Sequence, residues 1–139
     1  MFMAELAKHL NVETKMEFMS VSSYEDNTYS SGNVKILMDL DIDIKDKEVL
    51  IVEDIIDTGF TLKKIKETLL KREPRDLKII TLLDKPERRE VDIKPDFTGF
   101  KIPNEYVVGF GLDYDQLYRN LNSIGIVKRP VYEDIEDIK

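Results

Sequence analysis

The chain contains no cysteine and no tryptophan among its 139 residues. Without cysteine it forms neither disulfides nor thiolate metal sites, and we expect a cytoplasmic location. No apolar run reaches the length of a membrane span, so we expect no membrane contact. The net charge of −7 disfavours nucleic acid, because binding it requires a basic face. The remaining composition is typical of a globular protein, and we expect residues 1–139 to form a single domain.

Buried strands alternate with amphipathic segments along the chain. Val49–Val52 and Lys78–Leu83 are almost continuously apolar, which is typical of strands in a parallel sheet. Thr61–Lys71 carries apolar residues at helical spacing, and Pro74 follows it. The pattern predicts an α/β fold with a mostly parallel sheet. Ligands of such sheets bind at the carboxyl ends of the strands.

The other segments give weaker patterns. The polar, serine-rich residues 22–33 predict a loop that joins two strands of a hairpin. The further predictions are a helix around Met3–Leu10, hairpin strands at Met16–Val21 and Val34–Met38, strands at Tyr106–Gly109 and Ile124–Val127, a helix at Asp113–Leu121, and an acidic tail at 129–139.

The most informative segment is Val49–Thr61, with the sequence VLIVEDIIDTGFT. Glu53 and Asp54 follow four aliphatic residues, and Thr58-Gly59 forms a turn before the next helix. A helix N-terminus binds anions through its unpaired N–H groups and its dipole. Carboxylates beside such a site suit hydroxyls or a metal ion, so the ligand implied is a phosphorylated sugar. A buried strand with an acidic surface pair at its exit remains the plainer interpretation.

This motif resembles the phosphoribosyl-pyrophosphate signature of the purine phosphoribosyltransferases, in its hypoxanthine-guanine form. Matching segments extend from Met1 to about Val127, and they include Leu82-Leu83-Asp84-Lys85 and Gly109-Phe110-Gly111-Leu112-Asp113-Tyr114. The resemblance implies the three-layer, mostly parallel α/β fold of the type I phosphoribosyltransferases. It also implies a purine-salvage enzyme that requires Mg²⁺.

The resemblance implies a function for each matching residue. Asp57 is implied to face N7 of the purine and to accept its proton while N9 attacks the sugar. The other implied assignments are Glu53, Asp54, Asp57, Thr58, Gly59 and Thr61 for the ribose and 5′-phosphate; Glu53, Asp54 and Asp113 for the metal; Lys85, Tyr106 and Val107 for the purine; Arg119 for the pyrophosphate; and Ser23 and Tyr24 for a lid.

Simpler interpretations of several of these residues stay open. Asp57 fits an Asx turn, and Asp113 fits the N-cap of the predicted helix. Lys85 and Arg119 fit solvated side chains, while Tyr106 fits a core or strand-edge ring. A flexible loop without catalytic function explains residues 22–33 equally well.

The resemblance also shows a departure. Family members carry a helical segment, a central strand and a pyrophosphate-binding loop before the position that matches Met1. The absent strand would lie between the strands at Met16–Val21 and Val49–Val52. We therefore expect a chain truncated at its N-terminus, a chain completed by a partner, or a rearranged sheet.

The expected reaction is transfer of phosphoribose from 5-phosphoribosyl-1-pyrophosphate to N9 of hypoxanthine or guanine. The products would be IMP or GMP and pyrophosphate, and the resemblance implies a homo-oligomer, a dimer or a tetramer. The alternatives are a non-catalytic module that binds the sugar phosphate or regulates, and an inactive fragment. The net charge of −7 argues against a regulator that binds nucleic acid.

Overall fold

A computed structural model describes residues 1–23 and 34–128. The elements in chain order are α1 (Phe2–Ala7), β1 (Ser20–Ser23), β2 (Val34–Met38), β3 (Glu48–Ile56), α2 (Phe60–Leu70), β4 (Asp76–Asp84), a 3₁₀ turn (Pro86–Arg88), β5 (Phe97–Lys101), β6 (Val107–Val108) and β7 (Gly125–Ile126). None of the helices in these ranges has the length and apolarity needed to cross a membrane.

The centre of the fold is a parallel sheet with the strand order β3-β4-β5. Ile51 lies opposite Ile79 in the β3–β4 register, and Thr81 lies opposite Thr98 in the β4–β5 register. The α/β fold with a parallel sheet is therefore confirmed. All three strands run in the same direction, so their carboxyl ends meet at one edge of the sheet, where ligands bind in this architecture.

Helix α2 joins β3 to β4 and packs against this sheet. Leu62 and Leu69 are its buried residues, and they join a core cluster with Ile51, Leu77 and Ile79. The cluster contains aliphatic residues from both elements, as the apolar strands and the helical spacing of the sequence predict. This packing fixes the start of α2 next to the end of β3.

The free edge of β3 faces a large groove. In the described residues β3 has only β4 as a strand neighbour. The groove has a volume of about 970 Å³ and lies between β3 and the extended segment 12–19, with Phe18 in that segment 64% exposed. This arrangement agrees with the expectation that the sheet lacks the central strand of the family at this position.

Residues 34–38 pair with β1 as an antiparallel hairpin, which confirms the predicted strand pairing. The first strand was placed too early, because the ladder begins at Ser20 rather than at Met16. Without a neighbouring strand along the groove, residues 16–19 have no ladder in which to hydrogen-bond. Tyr24 and the acidic tail at 129–139 lie outside the described residues.

Two further predictions differ from the structure. The prediction of a helix at Asp113–Leu121 is wrong, because the backbone there forms turns and isolated bridges, with positive φ at Asp115, Gln116 and Tyr118. Left-handed residues cannot continue a right-handed helix. Strand β5 was not predicted, because its sequence FTGFK contains a glycine and lies in a charged segment.

Candidate active site

The turn between β3 and α2 presents the start of a helix at the carboxyl edge of the sheet. Gly59 is the N-cap of α2 and adopts φ +91°. A Cβ atom at this position would lie 2.7 Å from Cγ2 of Ile93, so both the backbone conformation and the space favour glycine. Thr58 and Thr61 flank this position, and the first N–H groups of α2 have no acceptor within the helix. The start of a helix therefore lies where the sequence predicted an anion site.

Three successive carbonyl groups of this turn are bound by the segment that follows β4. The N–H of Lys85 donates to Ile56 O at 3.0 Å, and the N–H of Glu90 donates to Thr58 O at 3.0 Å. Between them, Nη1 of Arg89 donates to Asp57 O at 2.6 Å. Arg89 also pairs with the buried Asp84 at the end of β4. These bonds direct the carbonyl oxygens of the turn toward residues 85–90.

The Asp57 carboxylate lies between two cationic side chains. Nζ of Lys85 is 3.6 Å from Oδ2 of Asp57, and Nε of Arg88 donates to Oδ1 at 2.8 Å. Only 9% of the Lys85 side chain is exposed, compared with 41% for Asp57 and 44% for Arg88. A buried ammonium requires an anionic or carbonyl partner, and Asp57 provides it here. The structure thus brings together two residues that the sequence assigned to the purine.

Glu53 and Asp54 lie within β3 rather than beyond its end, because the strand continues to Ile56. Glu53 lines the groove. Burial, and to a smaller degree the charge of the neighbouring Asp54, raises the pKa of Glu53 from 4.5 to about 7. Oδ1 of Asp54 accepts the Ile55 N–H at 2.7 Å.

The described residues contain no group of three acidic or histidine side chains that could hold a metal ion by themselves. Magnesium in proteins is often held by one or two carboxylates together with phosphate oxygens of a ligand. Glu53 and Asp54 fit that pattern. Asp113 has other partners, since Oδ2 accepts the Gln116 N–H at 2.8 Å and Oδ1 lies 3.0 Å from Nη2 of Arg119.

Arg119 binds within its own segment. Nη1 donates to Gly111 O at 2.9 Å, and Nη2 donates to Oε1 of Gln116 at 3.1 Å. Together with Asp113, these contacts hold the turns that replace the predicted helix. Asp113 therefore stabilises a turn instead of capping a helix, and the structure brings Asp113 and Arg119 together as a pair.

The predicted purine-stacking residue Tyr106 precedes β6 and is 42% exposed. Its ring packs edge to face on Tyr114, with the ring centroids 5.6 Å apart. Val107 belongs to β6 and pairs with Ile126 of β7. The chain reaches this region from β5, whose pairing with β4 is extended by the Ile102 N–H, which donates to Asp84 O at 2.9 Å. Of the two predicted lid residues, Ser23 ends β1 and Tyr24 lies outside the described residues.

Sequence reasoning missed Asp84, Arg88, Arg89 and Tyr114. For Asp84, Arg88 and Arg89 the available signal was position, because charged residues at or just after the end of a buried strand in a parallel sheet lie at the ligand-binding edge. Lys85 was found in this way, and the same argument extends to the two arginines that follow it.

Comparison with known proteins matches residues 1–115 to the family model of the phosphoribosyl transferase domain. The chain is 57% identical over 131 residues to a hypoxanthine-guanine phosphoribosyltransferase of Lactococcus lactis, covering 94% of this chain and 71% of that protein. It is 52% identical over 132 residues to the Bacillus subtilis protein of the same name, covering 95% of this chain and 73% of that one.

Solved structures show the same likeness. A crystal structure of a hypoxanthine phosphoribosyltransferase from Staphylococcus aureus superposes with a TM-score of 0.91 at 52% identity, covering 94% of this chain and 71% of that one. This confirms the three-layer fold predicted from the sequence. With a family model over most of its length and relatives above half identity, the chain belongs to the phosphoribosyltransferase family, among its hypoxanthine-guanine members.

Proposed function

We propose that this protein transfers phosphoribose from 5-phosphoribosyl-1-pyrophosphate to N9 of hypoxanthine or guanine, producing IMP or GMP and pyrophosphate. The observation that carries the proposal is the Asp57–Lys85 pair, in which Nζ of Lys85 lies 3.6 Å from Oδ2 of Asp57. Asp57 comes two residues before Gly59, the N-cap of α2. The names of the relatives, which describe enzymes for hypoxanthine and guanine, support the same reaction.

Asp57 and Lys85 provide complementary groups for a 6-oxopurine. The ammonium of Lys85 donates to the 6-oxo oxygen, and the Asp57 carboxylate accepts the proton of N7 while N9 forms the bond to the sugar. Adenine carries an amino group in place of that oxygen, so it would leave the buried ammonium without an acceptor. In the described structure the two side chains satisfy each other, and the purine would be inserted between them.

The sugar phosphate would occupy the neighbouring turn. Thr58, Gly59 and Thr61 bind the 5′-phosphate through hydroxyl and backbone N–H groups. Glu53 and Asp54 accept hydrogen bonds from the ribose hydroxyls. Tyr106 stacks on the purine, and the backbone of Val107 reads its edge.

Magnesium is the proposed metal, and when bound it would neutralise charge on the leaving pyrophosphate. Glu53 and Asp54 would hold it together with phosphate oxygens. Asp113 and Arg119, the proposed metal and pyrophosphate contacts, pair with each other in the described structure. Both would have to exchange that partner for the ligand.

Three further features remain predictions of the sequence. Ser23 and Tyr24 belong to a lid that excludes water from the activated sugar. The protein forms a homo-oligomer, a dimer or a tetramer, and acts in the cytoplasm.

An absorbance assay with hypoxanthine, the activated sugar and magnesium tests the proposal. We expect nucleotide formation with hypoxanthine or guanine and little or none with adenine. Binding of the sugar phosphate by calorimetry without any turnover would contradict an enzyme and favour a binding module.

The variant Asp57→Asn tests the proposed acceptor of the N7 proton. The amide keeps the shape of the side chain but cannot take up the proton, so turnover should fall by roughly 10²–10⁴-fold. Ribose 5-phosphate affinity, measured by calorimetry, should change far less. Equal losses of turnover and affinity would contradict the proposed assignment.

A further inference from the structure

Arg89 connects the end of β4 to the turn that precedes α2. Its guanidinium pairs with Asp84 and donates to the backbone carbonyl of Asp57 at 2.6 Å. The contact is enclosed, since only 14% of the Arg89 side chain and 8% of the Asp84 side chain are exposed. Cδ and Nη1 of Arg89 would lie 3.1 and 3.2 Å from a Cβ atom at Gly59, so the side chain packs directly against the turn.

The carbonyl groups of this turn decide whether it can bind an anion. A carbonyl oxygen directed at a phosphate repels it, whereas a backbone N–H attracts it. The oxygens of Ile56 and Thr58 are bound by the backbone N–H groups of Lys85 and Glu90. The oxygen between them, on Asp57, is bound by the Arg89 side chain. Of these three contacts, only the central one is made by a side chain, so it can be altered without changing the backbone.

We propose that Arg89 is a positioning residue of the phosphate-binding turn. By holding the Asp57 carbonyl toward residues 85–90, it keeps the N–H groups of the turn and of the first turn of α2 available to the 5′-phosphate. This inference rests on the proposed function. It adds a residue that does not itself contact the substrate, and it gives Asp84 the function of anchoring that residue.

The geometry of a guanidinium is essential to this function. Its separate N–H groups reach two acceptors at once, here a carboxylate and a carbonyl. A lysine at this position keeps the charge opposite Asp84 but presents one compact ammonium, so it retains the ion pair and loses the bond to the turn. Arg89→Lys therefore separates the positioning function from the charge.

The experiment measures ribose 5-phosphate binding by calorimetry in the whole chain, with circular dichroism to establish folding. We expect Arg89→Lys to weaken binding roughly tenfold, the loss typical of one hydrogen bond to a charged group. The KM of the activated sugar should rise by a similar factor, while the KM of hypoxanthine changes much less. Arg75→Gln is the control, because Arg75 is exposed and pairs with Glu48 at the opposite end of β3.

A folded Arg89→Lys chain that binds ribose 5-phosphate as tightly as the unsubstituted chain would overturn the inference. If that variant does not fold, Asp84→Asn provides a second test, because the amide still accepts from Arg89 but without a charge. It should weaken ribose 5-phosphate binding several-fold, and unchanged affinity would again overturn the inference. Absence of binding by the unsubstituted chain would overturn both the inference and the proposed function, whereas turnover that is insensitive to Arg89 would refute the inference alone.

Discussion

Replacing Glu53 by glutamine should stabilise the folded chain, and the effect should grow with pH. Burial raises the pKa of Glu53 to about 7, compared with an ordinary value of 4.5, and the adjacent Asp54 contributes to the shift. The folded chain therefore keeps the proton in a pH range where the unfolded chain has lost it. Glutamine has nearly the same shape and no charge, so it removes this dependence.

The sign and size follow from the two pKa values. Between pH 4.5 and 7 the folded state binds more protons than the unfolded state, so the free energy of unfolding falls as the pH rises. Below that range Glu53 is protonated in both the folded and the unfolded state, so its pKa shift does not change the free energy of unfolding. Above that range the ionised Glu53 lowers the free energy of unfolding by a constant amount, about 3 kcal/mol, because each unit of pKa shift corresponds to about 1.4 kcal/mol.

The assay is urea unfolding followed by circular dichroism, at pH 5 and pH 8, with EDTA present to exclude metal binding. Between pH 5 and pH 8, the free energy of unfolding of the variant should rise by roughly 2–3 kcal/mol relative to that of the unsubstituted chain. Glu67→Gln serves as the control, because it removes the same charge from an exposed position on α2. Subtracting its effect corrects for the change in net charge.

If the free energies of unfolding of Glu53→Gln and the unsubstituted chain differ by the same amount at pH 5 and pH 8, the pKa of Glu53 is not raised by folding. Such a result would mean that the Glu53 carboxylate is as well solvated in the folded chain as in the unfolded one. A difference that shrinks as the pH rises would show that a partner stabilises the charged form.

Three other substitutions probe the core and the site. Leu62→Ala should lower the free energy of unfolding in urea by about 2–5 kcal/mol, because it leaves a cavity under α2. Its control Leu70→Ala, at a half-exposed position of the same helix, should lower it by less than about 1 kcal/mol. Gly59→Ala should lose more than about 1 kcal/mol of stability and weaken ribose 5-phosphate binding, since φ is +91° and the added methyl meets a neighbour at 2.7 Å; unchanged binding would contradict the proposed phosphate turn. Arg88→Gln frees one oxygen of Asp57 for the N7 proton of the free base, so hypoxanthine should bind up to about fivefold more tightly by calorimetry, with the affinity for ribose 5-phosphate unchanged, and weaker hypoxanthine binding would argue that Arg88 assists the ligand.

The amino-acid sequence by itself predicted β3, α2 and the glycine turn between them. Four aliphatic residues in a row predicted β3, and helical spacing predicted α2 to within one residue at each end. The turn at Gly59 was recognisable because few residues other than glycine adopt a positive φ without strain. The charged residue after β4 could be placed near that turn, because parallel strands end at a common edge.

Only the tertiary structure decided which partners the charged groups have. Arg89 reaches Asp57 O across 32 positions of sequence, and no local pattern specifies such a contact. The raised pKa of Glu53 likewise depends on burial, which sequence spacing does not reveal.

The turns after β6 are a segment in which the sequence pattern predicted the wrong secondary structure. Their sequence predicted a helix over Asp113–Leu121, yet the hydrogen bonds of Asp113 and Arg119 stabilise left-handed turns instead. Periodicity within one segment determined where β3, β4 and the crossover helix α2 form, but it did not reveal β5. Contacts between distant segments determined how the site is held, because their energy depends on distances that exist only in the folded chain.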